Sequence, residues 1–234
     1  MILAIHQLHY LPWLRYFHKI ASADVFAVLD NIQFNKNGWQ NRNKIKTDQG
    51  ALTLTVPVLQ KMGQSLDEVE IDNKQSWRRK HWGAISSHYR KAPFFKEHEP
   101  FLRGIYEKEW RKLNDLNYEM LFYFVKVLGI KTRLFKSSEM ELRGEATERL
   151  VNICADLKAD SYLTGAFAAQ EYLDENLFAQ AGIGLNMHEF DCPVYPQLYP
   201  EKDFIPELSL LDLLFHCGPE SLSVLMSGKV QKIS

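Results

Sequence analysis

Two imidazoles and an amide lie close together near the start of the chain, in His6-Gln7-Leu8-His9, directly after an uncharged apolar run from Met1 to Ile5. An imidazole titrates near neutrality, so either ring could take a proton from a nucleophile or bear on phosphate charge. A second chemical stretch follows from Asp30 to Lys44, with Asn31, Gln33, Asn35, Lys36, Asn37, Trp39, Gln40, Asn41, Arg42 and Asn43. Between Asn31 and Asn43 there are donors and acceptors but no acid. That composition suits a phosphorylated or hydroxyl-rich ligand, and equally a solvated loop.

The elements that must position these groups form a strand-helix-strand unit. Met1 to Ile5 reads as a strand buried on both faces. Pro12 is a good first helix residue, and Leu14, Phe17, His18 and Ala21 continue at helical spacing to Asp24. Val25 to Leu29 is a second apolar strand. In such a unit the strands are parallel and ligands collect at their carboxyl ends, where both polar stretches begin.

His6-Gln7, Tyr10-Leu11-Pro12-Trp13, Tyr16-Phe17, Lys19-Ile20, Ala23-Asp24, Leu29-Asp30, Gln33-Phe34 and Trp39-Gln40-Asn41-Arg42-Asn43 resemble the opening of the WbqC-like family, bacterial proteins of O-antigen and related surface-polysaccharide gene clusters. Tyr162-Leu163-Thr164-Gly165, Tyr195-Pro196-Gln197 and the run from Leu208 to Phe215 resemble its later blocks, so the likeness covers nearly the whole chain. Leu8, His9 and Arg15 depart from the family pattern, which has Pro, Asn and Gly there. His6 and Gln7 therefore rank above His9.

The chain has 234 residues, enough for one α/β domain with an insertion over roughly residues 43–128. With 28 basic and 29 acidic residues its formal charge is -1, so no global field draws it to nucleic acid or an anionic membrane. Cys154, Cys192 and Cys217 are odd in number and widely spaced, which points to reduced thiols in a cytoplasmic protein. No stretch approaches the roughly 20 apolar residues of a membrane span.

Further along, Asn43 to Thr47 and Ala51 to Val58 read as a hairpin, and Leu59 to Gln64 as a surface loop or a flap over the site. Leu66 to Ile71 reads as a strand. A helix from Ser76 to Lys91 carries Arg78, Arg79, Lys80, His81, Arg90 and Lys91, which read as a solvated basic face or a diphosphate grip. Two helices follow between Pro100 and Leu128. Ile130 to Phe135 is a strand ending at Ser137 and Ser138, and a helix runs from Ala146 to Leu157. Ser161 to Thr164 is a strand ending at Gly165, Tyr172 to Ala181 a helix, and Gly184 to Phe190 a last strand. Proline-fixed Tyr195 and Gln197 precede the final helices, where Asp212 must face outward or bond a buried partner.

The expected fold is a doubly wound, mostly parallel, Rossmann-like sheet with an inserted hairpin and helices. The first turn lacks Gly-x-Gly-x-x-Gly, so the dinucleotide cradle is missing. Its layout resembles nucleotidylyltransferases, although His6-x-x-His9 lacks their intervening glycine. His6, His9 and His18 have no fixed third partner for zinc, so no metal site is expected.

The WbqC-like resemblance implies surface-polysaccharide assembly by transfer of an aminoacyl group, such as glycyl, onto a nucleotide-linked amino sugar. The donor would be an adenylate made from ATP with magnesium. The alternatives are a nucleotidylyltransferase and a non-catalytic binding protein of the same pathway. The catalytic candidates are His6, Gln7 and His9. The substrate-binding candidates are Tyr10, Trp13, Asp30, Gln33, Lys36, Trp39, Gln40, Asn41, Arg42, Ser138, Gly165, Tyr195 and Gln197.

Overall fold

The structure is a computed structural model that describes residues 1–165 and 173–228. Its first strand, β1 (Ile2–Gln7), is followed by helix α1 (Leu14–Ala21) and strand β2 (Val25–Leu29), as the apolar pattern requires. Trp13, one residue after Pro12, caps α1. β1 and β2 pair in parallel from Leu3↔Val25 to Gln7↔Leu29.

The insertion comes next. Strands β3 (Arg42–Thr47) and β4 (Gly50–Thr55) form the expected hairpin. The expected strand over Leu66 to Ile71 is instead a single 3-10 turn at Leu66–Glu68 and a two-residue strand. This is β6 (Glu70–Ile71), paired with β5 (Val58–Leu59). Its amides serve different partners, Leu66 N donating to Ile32 O and Ile71 N to Arg111 O, so no long ladder can form.

Helices α2 (Trp77–Tyr89), α3 (Phe95–Glu107) and α4 (Leu113–Leu128) complete the insertion. α3 starts ahead of Pro100, which lies inside it, because Phe95 and His98 are buried on the same side as Leu102 and Ile105. α4 stops at Gly129, whose φ of 69° favours glycine.

The chain then returns to the sheet through β7 (Arg133–Lys136), α5 (Ala146–Asp156), β8 (Ser161–Gly165), α6 (Glu175–Gln180) and β9 (Gly184–His188), before α7 (Leu210–Cys217) and α8 (Ser221–Met226). Of the expected helix from Tyr172 to Ala181, Tyr172 lies outside the described residues.

The five long-range strands lie in the order β7-β2-β1-β8-β9, and every pair is parallel. In chain order this is 3-2-1-4-5, the doubly wound arrangement, and the order reverses between β1 and β8. Alternate residues of β1 and β2 serve two cores, as a strand's two-residue period demands. Ala4, Phe26 and Val28 face the large core with α1, α3, α4 and α7. Leu3, Ile5, Val25 and Ala27 face a smaller core with Ile153 and Cys154 of α5 and Phe178 of α6. Among the described residues no helix is long and apolar enough to cross a membrane.

Candidate active site

At the reversal point the sheet opens. β1 and β8 pair only from Ile2↔Ser161 to Ala4↔Leu163. β1 stays with β2 as far as Gln7, and β8 stays with β9 as far as Gly165↔His188. The carboxyl ends of β1 and β8 therefore diverge, and a crevice at this position is where doubly wound sheets bind ligands.

His6, on the same face of β1 as Ala4, lies at this opening. Its ring meets His9 at 4.8 Å, Tyr16 at 5.0 Å and Trp13 at 6.4 Å between centroids. Burial, then the charge of Lys19, pushes the His6 pKa down to about 3, with a contact to the Gln7 backbone opposing them. The ring is thus neutral at pH 7 and, in the free protein, a weak base. His9 is buried and, chiefly through desolvation, also held well below its ordinary value. His9 Nδ1 and the Tyr16 hydroxyl are buried with no hydrogen-bond partner among the described residues.

The turn that sets these rings is strained. Leu11 has φ of 44° immediately before Pro12, a conformation costing a leucine about 1–2 kcal/mol. Such strain gathers at functional turns.

Gln7 and Gln40 join the two polar stretches of the sequence, Gln40 Nε2 donating to Gln7 Oε1 at 3.2 Å. Trp39 meets Trp13 at 5.3 Å and lies under the Arg42 guanidinium at 5.8 Å. Arg42 also donates to Asn37 O. His6, Gln7, His9, Trp13, Trp39, Gln40 and Arg42 thus form one connected group, and Gly165 ends β8 on the other bank of the opening. A Cβ on Gly165 would meet no described atom within 4 Å, so close packing is not what calls for glycine there.

The other candidates lie in separate settings. The Tyr10 hydroxyl is buried against Tyr106 at 2.6 Å and His81 at 2.9 Å, inside the insertion's core. His81 accordingly points inward and is not part of the cationic face of α2. Asp30 is buried and its carboxylate accepts four hydrogen bonds, from Ser137 Oγ, Ser138 N, Ser138 Oγ and Tyr118 OH. Asp30 and Ser138 thereby tie the end of β2 to the end of β7.

Gln33 is exposed and forms a β-bridge with Ser65. Lys36 and Asn41 line an open cleft of about 1020 Å³ with Pro57, Gln60, Lys61 and Gln64, so the loop from Leu59 to Gln64 forms a wall of that cleft. Tyr195 and Gln197 belong to a buried network around Asp212. Gln197 Nε2 and Tyr89 OH donate to its carboxylate, and Lys46 Nζ donates to Gln197 Oε1. Asp212 therefore bonds buried partners, and burial raises its pKa.

Three residues absent from the candidate set stand at the opening. Lys19, 7 % exposed on α1, donates from Nζ to Ile5 O at 3.0 Å, and burial lowers its pKa to about 8. His188, at the end of β9, shares a hydrogen bond with His18, Nε2 to Nδ1 at 2.8 Å. Tyr16 packs on both His6 and His9. Tyr16 and Lys19 stand on the helix that directly follows β1, in sequence blocks that carry the family resemblance, whereas His188 reaches the opening only through strand order. Among the described residues no group of three or more His, Cys, Asp or Glu could hold a metal ion.

The chain is 39% identical over 222 residues to the uncharacterized protein Rv1507c of Mycobacterium tuberculosis (strain ATCC 25618 / H37Rv), which covers 93% of this chain and 94% of that protein. No solved structure matches it. The WbqC-like protein family matches residues 7–224, nearly the entire chain, and the protein belongs to that family.

Proposed function

We propose that this protein is an acyltransferase of surface-polysaccharide assembly that binds a nucleotide-linked amino sugar at the opening between β1 and β8. It passes an aminoacyl group, such as glycyl, from an ATP-derived adenylate to the sugar amine. The observation that carries the reading is His6 at a switch point. This imidazole is held neutral at the position where doubly wound folds seat phosphorylated ligands, amid cationic and aromatic side chains and with no carboxylate in ion-pair contact among the described residues.

The chemistry follows from that setting. The sugar amine attacks the acyl carbonyl, the acyl–phosphate bond breaks and AMP leaves, and the amine's proton passes to His6. In the free protein burial, and after it the charge of Lys19, depresses the basicity of His6. An arriving phosphate offsets the Lys19 share of that depression, so the base strengthens when substrate is bound. Trp13 and Trp39 offer flat faces to a base or sugar ring, and the Gln7–Gln40 pair offers amide donors and acceptors to hydroxyls. Magnesium would arrive on the nucleotide phosphates, which hold it with few protein ligands.

The test incubates the protein with ATP, magnesium, amino acids and nucleotide-linked amino sugars, following AMP, pyrophosphate and the mass of the sugar product. Acylated sugar from wild type, and a roughly 10²–10⁴-fold lower rate from His6→Ala at an unchanged melting temperature, is the expected result. A nucleotidyl-linked product would assign the site to nucleotidylyl transfer. Saturable binding without any product would make the chain a binding protein.

A further inference from the structure

We propose that the gap between the ends of β1 and β8 is a phosphoryl-binding pocket in which the Lys19 ammonium is the principal counter-charge. This rests on the site described above and names the group that holds the ligand's charge.

The hydrogen-bonding parity of β1 explains why Lys19 is there. Ile2 O accepts from Asp24 N and Leu8 N donates to Leu29 O, so even-numbered residues bond toward β2. Met1 O accepts from Asp160 N, so odd-numbered residues bond toward β8. Ile5 is the first odd position beyond the last β1–β8 pair, Ala4↔Leu163, and its carbonyl has lost its strand partner. Lys19 Nζ fills that place at 3.0 Å.

An ammonium has three donors, and among the described residues Ile5 O is its one hydrogen-bond acceptor. The Tyr162 ring lies 5.8 Å from Nζ. No carboxylate is within ion-pair distance of Lys19, His6 or His188 among the described residues, and Arg15 on the same helix is paired with Glu207. Burial first, with the charge of Lys19 adding to it, lowers the pKa of both His6 and His188, so Lys19 is the positive group among the three in the free protein.

A buried cation without a counter-ion is costly, and an amine in that position sheds its proton readily. A phosphoryl oxygen would satisfy the Lys19 donors that have no acceptor among the described residues, supply a negative charge that none of those residues provides in ion-pair contact, and return the proton to Lys19. His6 and His188, close enough to Lys19 and to each other to interact electrostatically, would add imidazole N–H donors.

The experiment uses inorganic pyrophosphate and AMP as probes, measured by calorimetry on the full chain at pH 8 in two buffers of different ionisation enthalpy. Wild type should bind at least one probe and take up about half a proton, since Lys19 with a pKa near 8 is about half ionised there. Lys19→Met keeps the stem and removes the charge. It should fold with an equal or higher melting temperature, bind at least about tenfold more weakly and lose the proton uptake.

Tighter binding of AMP would assign the pocket to a nucleotide's own phosphate, and tighter binding of pyrophosphate to a leaving diphosphate. Failure of wild type to bind either probe at millimolar concentration would overturn the proposal. So would Lys19→Met affinity within twofold of wild type, the result for a lysine that merely caps Ile5. If the probes bind through Lys19 while no acylated sugar forms, the pocket stands and the acyl-transfer reading falls.

Discussion

Acid should unfold this protein through its buried histidines, and the size of the effect can be worked from His81 and His188. His81 is 5 % exposed, bonded to the Tyr10 hydroxyl and held by burial at a pKa of about 4. His188 is 2 % exposed, bonded to His18 and held by burial at about 3, with the charges of His18, Lys19, Arg15 and His6 adding to the depression. In the unfolded chain both titrate near 6.5. Below that pH the unfolded state takes up protons that the folded state refuses, so stability is fully present above about pH 6.5 and falls as pH drops toward 4 and 3.

Each residue contributes about 1.4 kcal/mol per pH unit inside its window. From pH 6.5 to 4.5 the two together remove about 5 kcal/mol, comparable with the whole stability of many domains. Urea titrations at half-unit steps from pH 8 to 4.5 measure this. His81→Gln, which retains an amide partner for Tyr10, should reduce the slope by about 1.4 kcal/mol per pH unit. A flat profile from pH 7 to 4.5, or an unchanged slope in His81→Gln, would refute the assignment of these rings as buried and neutral.

Two substitutions separate scaffold from site. Asp30→Ala strands four donors at the junction of β2 and β7 and should cost about 3–5 kcal/mol in urea unfolding, while Asp30→Asn, which keeps the shape, should cost about 1–2 kcal/mol. A stable Asp30→Ala that loses nucleotide affinity would move Asp30 into the binding site. Gln197→Ala leaves Asp212 and Lys46 without their shared amide and should cost about 2–4 kcal/mol with turnover per folded molecule unchanged, so a selective loss of turnover would contradict its structural role.

Local signals in the chain carry the sheet. The apolar runs at Ile2 to Ile5 and Val25 to Leu29, the hairpin around Gly50 and the glycine stop at Gly129 each announce themselves within a few residues. The start of α3 does not, because Pro100 suggests a helix beginning where a helix is already under way, and only the burial of Phe95 and His98 reveals it. The site divides along the same line. His6, Gln7, Trp13, Trp39 and Gln40 are marked by composition and come together in space. Asp30, Tyr195 and Gln197 carry the same kind of chemistry in sequence, but their polar atoms are consumed by buried partners that no local pattern names. His188 becomes a neighbour of His6 only once β8 and β9 are set beside β1, a long-range pairing outside the reach of periodicity, whereas Lys19 reaches Ile5 O from the helix that directly follows β1.

The central claim is that a phosphorylated ligand is held at the ends of β1 and β8, beside His6. Nuclear magnetic resonance of protein labelled with 15N in its eight histidine imidazoles, titrated with ATP and assigned by single His→Asn variants, reads this directly. The His6, His9 and His188 resonances should move together and saturate with one affinity while His81 and His98, buried in the insertion, stay still. Shifts confined to His81, His88 or His98, or none at saturating ATP, would contradict the account.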